Sequence, residues 1–256
     1  MRPYYEGDGA TLYHGDARDI LPAVLGSPAA VIVADPPYGE TSLGWDRWPD
    51  GWPKLFVGLA PQLWCFGSLR MFLTHRDEFS EWRYGQEIVW EKHNGSIFHA
   101  DRFRRVHEIA THWYSGKWSS LVRNTQYTNE VTKKTVRRKE RPAHTGYIAN
   151  STYTSYDGGP RMMRSVLQVR SEHGRAAHPT QKPLDIIRPL VRYSSRPGDV
   201  VADPFAGAGS VMLAAVQDGR RAVGVEADER YCEVTARRLE AALSGVGPEH
   251  DVTQAS

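Results

Sequence analysis

Asp35-Pro36-Pro37-Tyr38 puts a carboxylate, a rigid turn and an aromatic ring within four residues, directly after the apolar run Val31-Ile32-Val33-Ala34. An ionised carboxylate only accepts hydrogen bonds, and Pro36 offers a backbone carbonyl with no N–H to compete. Two acceptors held side by side suit the two N–H groups of a planar amine, such as the exocyclic amine of a nucleobase. The Tyr38 ring adds a face on which a heterocycle can stack. Asp and Pro are also ordinary turn residues at a strand end, so the tetrapeptide alone leaves a purely structural turn open.

A second group lies far along the chain, at Asp203-Pro204-Phe205-Ala206-Gly207-Ala208-Gly209-Ser210. Glycines between a strand and a helix let a ligand approach the backbone, and the helix N-terminus beyond suits an anionic group. Glu226 follows Gly207 by 19 residues, where a nucleotide-binding α/β unit carries the acid that holds ribose hydroxyls. The third glycine of the dinucleotide fingerprint is missing, which disfavours a nicotinamide or flavin cofactor. A glycine turn that serves only strand-to-helix packing is the alternative. Just upstream, His178-Pro179-Thr180-Gln181-Lys182-Pro183 either leads into a helix or lets Thr180 or Lys182 reach a carboxylate bound at the glycine turn.

Elements must hold these groups. Thr11–His14 reads as a strand ending at Gly15-Asp16, followed by a helical stretch to Leu25 and the strand Val31–Ala34. Leu55–Phe66 is expected to hold a helix and the start of another strand. Gly85–Glu91 and Glu108–Tyr114 read as strands, with Asn94-Gly95 as the turn between them. From Ser115 to Ala177 the periodicity fails, which predicts an inserted, loop-rich subdomain. Regular patterning then returns. Leu184–Tyr193 is helix-like, with Pro189 expected to kink it or delay its start. Val200–Ala202 is a strand, Ser210–Val216 a helix stopped by Gly219, and Ala222–Val225 a strand. Asp228 caps a last helix that runs to about Leu243, and the tail is expected to fray.

Net charge is only +2, yet Ser115–Ala177 carries twelve Lys and Arg against four Asp and Glu, a balance of +8 that leaves the rest at −6. A basic segment on an otherwise acidic chain suggests a polyanion partner, with Arg123, Lys133, Lys134, Arg137 and Arg138 as candidate contacts. A solvated basic loop is the bland alternative. Cys65 and Cys232 are the only cysteines, too few for a disulfide framework or a cysteine zinc site, and they suit a reducing cytoplasm. The ten histidines are scattered and read mostly as surface or loop positions, so no metal is expected. No apolar run approaches membrane-spanning length, and Met1–Ala10 lacks a signal-peptide core. Trp45, Trp48 and Trp52 fit a loop over a target as well as a core, and are assigned no role.

In order along the chain, Asp35-Pro36-Pro37-Tyr38, His178–Pro183 and Asp203–Ser210 resemble the amino-methylating DNA methyltransferases of the permuted class called β. The resemblance covers nearly everything except Ser115–Ala177. It implies an α/β, Rossmann-like, S-adenosylmethionine-dependent methyltransferase sheet, circularly permuted, with a small inserted target-recognition subdomain. Residues 1–114 would be the catalytic half, 115–177 the insert, 178–244 the cofactor half and 245–256 a tail. Carried over by position, Asp35, Pro36, Pro37 and Tyr38 grip the target amine. Phe205, Ala206, Gly207 and Gly209 line the methionine end of the cofactor, Asp203 lies beside its amino group and Glu226 holds the ribose. Ser210, Thr180 and Lys182 join that set. Asp16 either contacts the cofactor adenine or simply caps a helix. The implied partner is double-stranded DNA, whose base is flipped out for reaction. An acidic first residue in the tetrapeptide leans toward adenine N6, with cytosine N4 as the alternative. RNA methylation, protein amide methylation and an inactive nucleic-acid-binding module rank lower. A homodimer and a separate restriction nuclease stay open.

Overall fold

Two apolar runs of four residues, Val31–Ala34 and Leu63–Phe66, set the centre of the fold. The computed structural model describes residues 1–96, 101, 103–128, 160–172 and 181–244. In chain order the elements are β1 (Tyr5–Gly7), β2 (Ala10–His14), α1 (Ala17–Val24), β3 (Val31–Ala34), α2 (Trp52–Leu55), β4 (Gln62–Gly67), α3 (Leu69–Thr74), β5 (Arg83–Ser96), β6 (Arg105–Tyr114), β7 (Tyr127–Thr128), β8 (Arg161–Met162), β9 (Val166–Gln168), α4 (Leu184–Ser194), β10 (Val200–Asp203), α5 (Ser210–Gln217), β11 (Arg221–Glu226) and α6 (Glu229–Leu243). Every residue of β3 and β4 is buried. Strands with no solvent face need helices on both sides of the sheet.

The helices are there, divided by the two-residue period of the strands. Val31 and Val33 of β3 share a core with Ile186, Leu190, Val211 and Met212 of α4 and α5. Ile32 and Ala34 face the other way, toward Ile20, Leu21, Trp52 and Phe72 of α1, α2 and α3. α4 runs through Pro189. Burial of Ile186, Ile187, Leu190 and Val191 outweighs the one backbone hydrogen bond a proline cannot donate.

The nine-stranded sheet has the order β1-β2-β11-β10-β3-β4-β6-β5-β9. From β2 to β4 the neighbours are parallel, and β6 runs antiparallel to both β4 and β5. β10 and β3 lie side by side, with Val201 opposite Val31. From that pair the chain leads outward in opposite directions, to β11 from one and to β4 from the other. Such a reversal point opens a crevice at the carboxyl ends of the strands, and Asp35 and Asp203 both stand there.

Two expectations need correction. Asn94-Gly95 is not the turn between two strands, because β5 continues to Ser96 with a register shift between Glu91 and Ser96. Val166–Gln168, expected inside the insert, is instead a strand of the main sheet, paired parallel with β5. Thr125–Arg164 is a compact unit of its own, in which Tyr127 of β7 pairs with Met162 of β8. His112 is fully buried in β6. Its ring nitrogen meets Gln62 Oε1 at 3.2 Å, and burial lowers its pKa to about 4.

Candidate active site

Asp35 is the first residue past β3, so its carboxylate emerges where the strand stops being covered. Tyr38 Oη donates to Asp35 Oδ1 at 3.0 Å. Lys182 Nζ donates to both Asp35 oxygens, at 2.7 Å each. Sequence order suggests the cofactor carboxylate near the glycine turn as the partner of this lysine. The structure places its ammonium on Asp35 instead, with Glu108 Oε2 3.3 Å away.

Lys182 is buried, and its ammonium lies 5.6 Å from the centre of the Tyr38 ring and 5.4 Å from that of Phe66. Burial works against its charge, but the Asp35 and Glu108 carboxylates prevail and hold its pKa above the ordinary lysine value. Glu108 shows the same balance from the other side. Burial pushes its carboxyl up, and the Lys182 and Lys92 ammonium groups more than compensate, holding it at about 2. Lys92 pairs directly with Glu108 Oε1. Two lysines and two carboxylates thus alternate in a partly buried, charge-balanced cluster around the buried Lys182.

The loop after Tyr38 is fixed by Asp46, whose carboxylate accepts the N–H groups of Gly39, Glu40 and Thr41 at 2.9, 3.0 and 2.7 Å. Against a burial effect that raises it, those donors and the Thr41 side chain keep the Asp46 pKa below the ordinary value. Glu40 in turn accepts from the Ser68 hydroxyl and pairs with Arg105 at 3.0 Å. Trp48 Nε1 donates to Glu78 Oε1 at 2.8 Å, and its ring stacks on His75 with centroids 4.1 Å apart. Trp48 and Trp52 are therefore packing residues, while Trp45 lines the cleft.

On the opposite wall Asp203 ends β10, 2% exposed. It accepts the Phe205 N–H at 3.2 Å. Burial pushes its carboxyl well above the usual range. The Phe205 N–H acts against this, while negative charge on Asp35 and Glu226 adds to it. Gly207 has φ +51°, a conformation glycine adopts without strain. Its N–H donates to Glu226 Oε2 at 2.7 Å, and the other oxygen of Glu226 accepts from Asp228 N at 2.8 Å. Burial raises the Glu226 pKa, partly offset by those backbone donors. The Phe205 ring meets Trp52 edge-on, with centroids 5.3 Å apart.

One cleft of 1810 Å³ joins these walls, larger than the roughly 300–1,000 Å³ of a single small-ligand site. Asp35, Pro36, Pro37, Tyr38, Asp16 and Lys182 line it, and so do Asp203, Phe205, Ala206, Gly207, Ser210 and Glu226. Asp16 also caps α1, accepting the Arg18 N–H at 2.9 Å. Gly209, expected among the lining residues, is not one of them. It has φ +73° at the start of α5, where a Cβ would stand 2.6 Å from Thr235 Cγ2, so its constraint comes from packing against α6. Arg123 lies on the surface, its guanidinium 5.0 Å from the Trp118 ring centre. Thr180, Lys133, Lys134, Arg137 and Arg138 fall outside the described residues. Among the described residues, no group of three or more His, Cys, Asp or Glu side chains is placed to hold a metal ion, and no helix is long and apolar enough to cross a membrane.

A family model described as DNA methylase, N6_N4_Mtase, matches residues 29–237. The chain belongs to this N6/N4 DNA methyltransferase family. The type II methyltransferase M.HinfI of Haemophilus influenzae is 25% identical over 261 residues, which cover 90% of this chain and 68% of that protein. M2.DpnII of Streptococcus pneumoniae is 25% identical over 257 residues, covering 94% and 93%. Two solved structures share the α/β methyltransferase fold. The M1.HpyAVI–SAM complex has a TM-score of 0.61 at 23% identity, covering 90% of this chain and 99% of that one. The cytosine-N4-specific PvuII DNA methyltransferase has a TM-score of 0.62 at 15% identity, covering 93% and 89%.

Sequence reading missed Lys92, Glu108 and Asp46. Glu108 faces Trp90 across β5 and β6, and Lys92 follows Trp90 on the same face by the strand period. That pairing is readable only once the hairpin register is known.

Proposed function

We propose that the protein transfers a methyl group from S-adenosylmethionine to N6 of adenine in duplex DNA, on a base turned out of the helix. The observation that carries this reading is one cleft, at the reversal point of the sheet, shared by the Asp35 amine grip and by the Asp203–Gly207 turn. Its size leaves room for two ligands.

The residues on the far wall fit the methyl donor. Asp203 is a buried carboxyl whose charge is held back, and a ligand ammonium beside it would relieve that cost. Each Glu226 oxygen accepts one backbone N–H and keeps a lone pair for a ribose hydroxyl. Gly207 has no side chain to obstruct the methionine end, which Phe205 and Ala206 would flank. Once bound, the donor supplies a methyl group on a positively charged sulfur.

The remaining work falls to the near wall. Flipping a base costs a few kcal/mol, and stacking on an aromatic ring returns about 1–3 kcal/mol. Asp35 and the Pro36 carbonyl accept the two amine N–H groups. Held this way, the nitrogen lone pair leaves conjugation with the ring and points toward the wall formed by Asp203 and Gly207. Positive charge growing on the nitrogen then falls beside the Asp35 carboxylate. The proton passes afterwards to Asp35 or to water. The acidic first residue of the tetrapeptide supports adenine over cytosine.

Pure protein incubated with unmethylated genomic DNA and labelled cofactor, followed by base-resolved sequencing, tests the reading. The expected product is N6-methyladenine in one sequence context. Asp35→Ala should reduce transfer by roughly 10²–10⁴-fold while cofactor binding persists. N4-methylcytosine would reassign the amine, and wild-type transfer by Asp35→Ala would remove Asp35 from the chemistry.

A further inference from the structure

Resting on the methyl-transfer reading, we propose that Glu108 is a positioning residue: it takes the Lys182 ammonium when the target amine reaches Asp35, and so unmasks the carboxylate that grips the amine.

Lys182 already holds the carboxylate that the amine needs. Its Nζ donates to Asp35 Oδ1 and Oδ2 at 2.7 Å each, and Tyr38 Oη donates to Oδ1 at 3.0 Å. A carboxylate oxygen has two lone-pair positions, so Oδ1 is filled and Oδ2 keeps one. An amine entering here meets an ammonium on the same two oxygens and must itself become cationic next to it. Two cations sharing one carboxylate repel each other, so transfer favours a state with Lys182 elsewhere.

Glu108 offers that place. Its Oε2 is 3.3 Å from Lys182 Nζ, within ion-pair range. The same oxygen is buried and receives no hydrogen bond from any described residue. The ion pair leaves this oxygen without an aligned donor, and a shift of the ammonium from Asp35 to Oε2 would supply one. The move leaves the net charge of the cluster unchanged, since the ammonium passes between two of its own carboxylates, and Oε2 is open to it because Lys92 is on Glu108 Oε1. The Tyr38 and Phe66 rings beside Nζ keep the ammonium in the corridor between the two carboxylates. Without the negative charge of Glu108, a lysine leaving Asp35 would be stranded in a buried site.

The test is single-turnover methylation of a duplex carrying the sequence that the wild-type protein modifies. Glu108→Gln keeps the shape and removes the charge. It should slow transfer by roughly 10–100-fold, in the range of coupling between charged neighbours, with cofactor Kd unchanged. Glu108→Asp should recover part of the rate. In a Lys182→Met background, Glu108→Gln should change the rate by less than about twofold, because no ammonium remains to be drawn away. Equal losses in both backgrounds would mark Glu108 as merely structural and overturn the proposal, as would full activity of Glu108→Gln. If Lys182→Met does not fold, a crystal structure of the wild-type protein with this duplex and a cofactor analogue lacking the transferable methyl group decides. Nζ on Glu108 supports the proposal; Nζ on both Asp35 oxygens with the base in place overturns it. A wild-type protein that methylates no DNA brings down the methyl-transfer reading itself, whatever Glu108 does.

Discussion

Asp203 carries opposite consequences for stability and for binding. Its folded pKa lies above the unfolded value, because burial and the negative neighbours Asp35 and Glu226 disfavour its charge. The folded protein therefore prefers the protonated form. Above the unfolded value of about 3.9, ionisation costs stability, and the cost grows with pH until the folded pKa is passed. Asp203→Asn removes it. The Tm at pH 8 should rise by about 2–4 °C, the equivalent of roughly 1 kcal/mol for a chain of this size, and the gain should vanish at about pH 4 and below. The same change removes the anion that faces the ligand ammonium, so cofactor affinity should fall by roughly 10–100-fold. Thermal melts across pH and calorimetric titration measure the two effects. Melting below wild type at pH 8 would mean that the charge is compensated in the fold, and unchanged affinity would take Asp203 out of the cofactor site.

At the scale of elements, Gly209 joins strand to helix rather than protein to ligand. With φ +73° and Thr235 Cγ2 2.6 Å from where a Cβ would stand, Gly209→Ala must strain the entry to α5 and push α6 away. A loss of about 1–3 kcal/mol is expected, read as a lower midpoint in denaturant. Cofactor Kd of the folded fraction should change less than for Asp203→Asn; the reverse order would return Gly209 to the ligand site. The sequence signalled this strand–turn–helix unit plainly, through an apolar run and glycines, and the next helix through the Asp228 cap, whose side chain accepts the Arg230 N–H. It misled at Asn94-Gly95, a dipeptide that usually marks a hairpin turn. There Gly95 sits in a register shift, where a Cβ would stand 2.6 Å from the Arg105 carbonyl, and the hairpin continues beyond it. Misplacing the turn hid the pairing of Lys92 with Glu108. Lys182 escaped for a different reason: 147 residues separate it from Asp35, and no periodicity links two side chains that only the sheet order brings together.

Over the whole molecule the same permutation separates the chemistry from the charge. β3 and β10 meet at the centre of the sheet although the tetrapeptide and the glycine turn lie in different thirds of the chain. Between them runs the Ser115–Ala177 segment at +8, on a chain whose remainder is −6. An acidic body repels a polyanion, so attraction to DNA must come from the basic segment and fade as salt screens it. Replacing Lys133, Lys134, Arg137 and Arg138 together with Gln tests this. Each phosphate that the substitutions leave unneutralised should flatten the slope of log K against log salt concentration by about 0.9, and duplex affinity at low salt should drop. Cofactor Kd should stay as in wild type, and so should the single-turnover rate at saturating DNA, if the segment acts through attraction alone. An unchanged slope would place the polyanion-binding surface elsewhere. A slower rate at saturation would make the segment part of base positioning rather than of attraction alone.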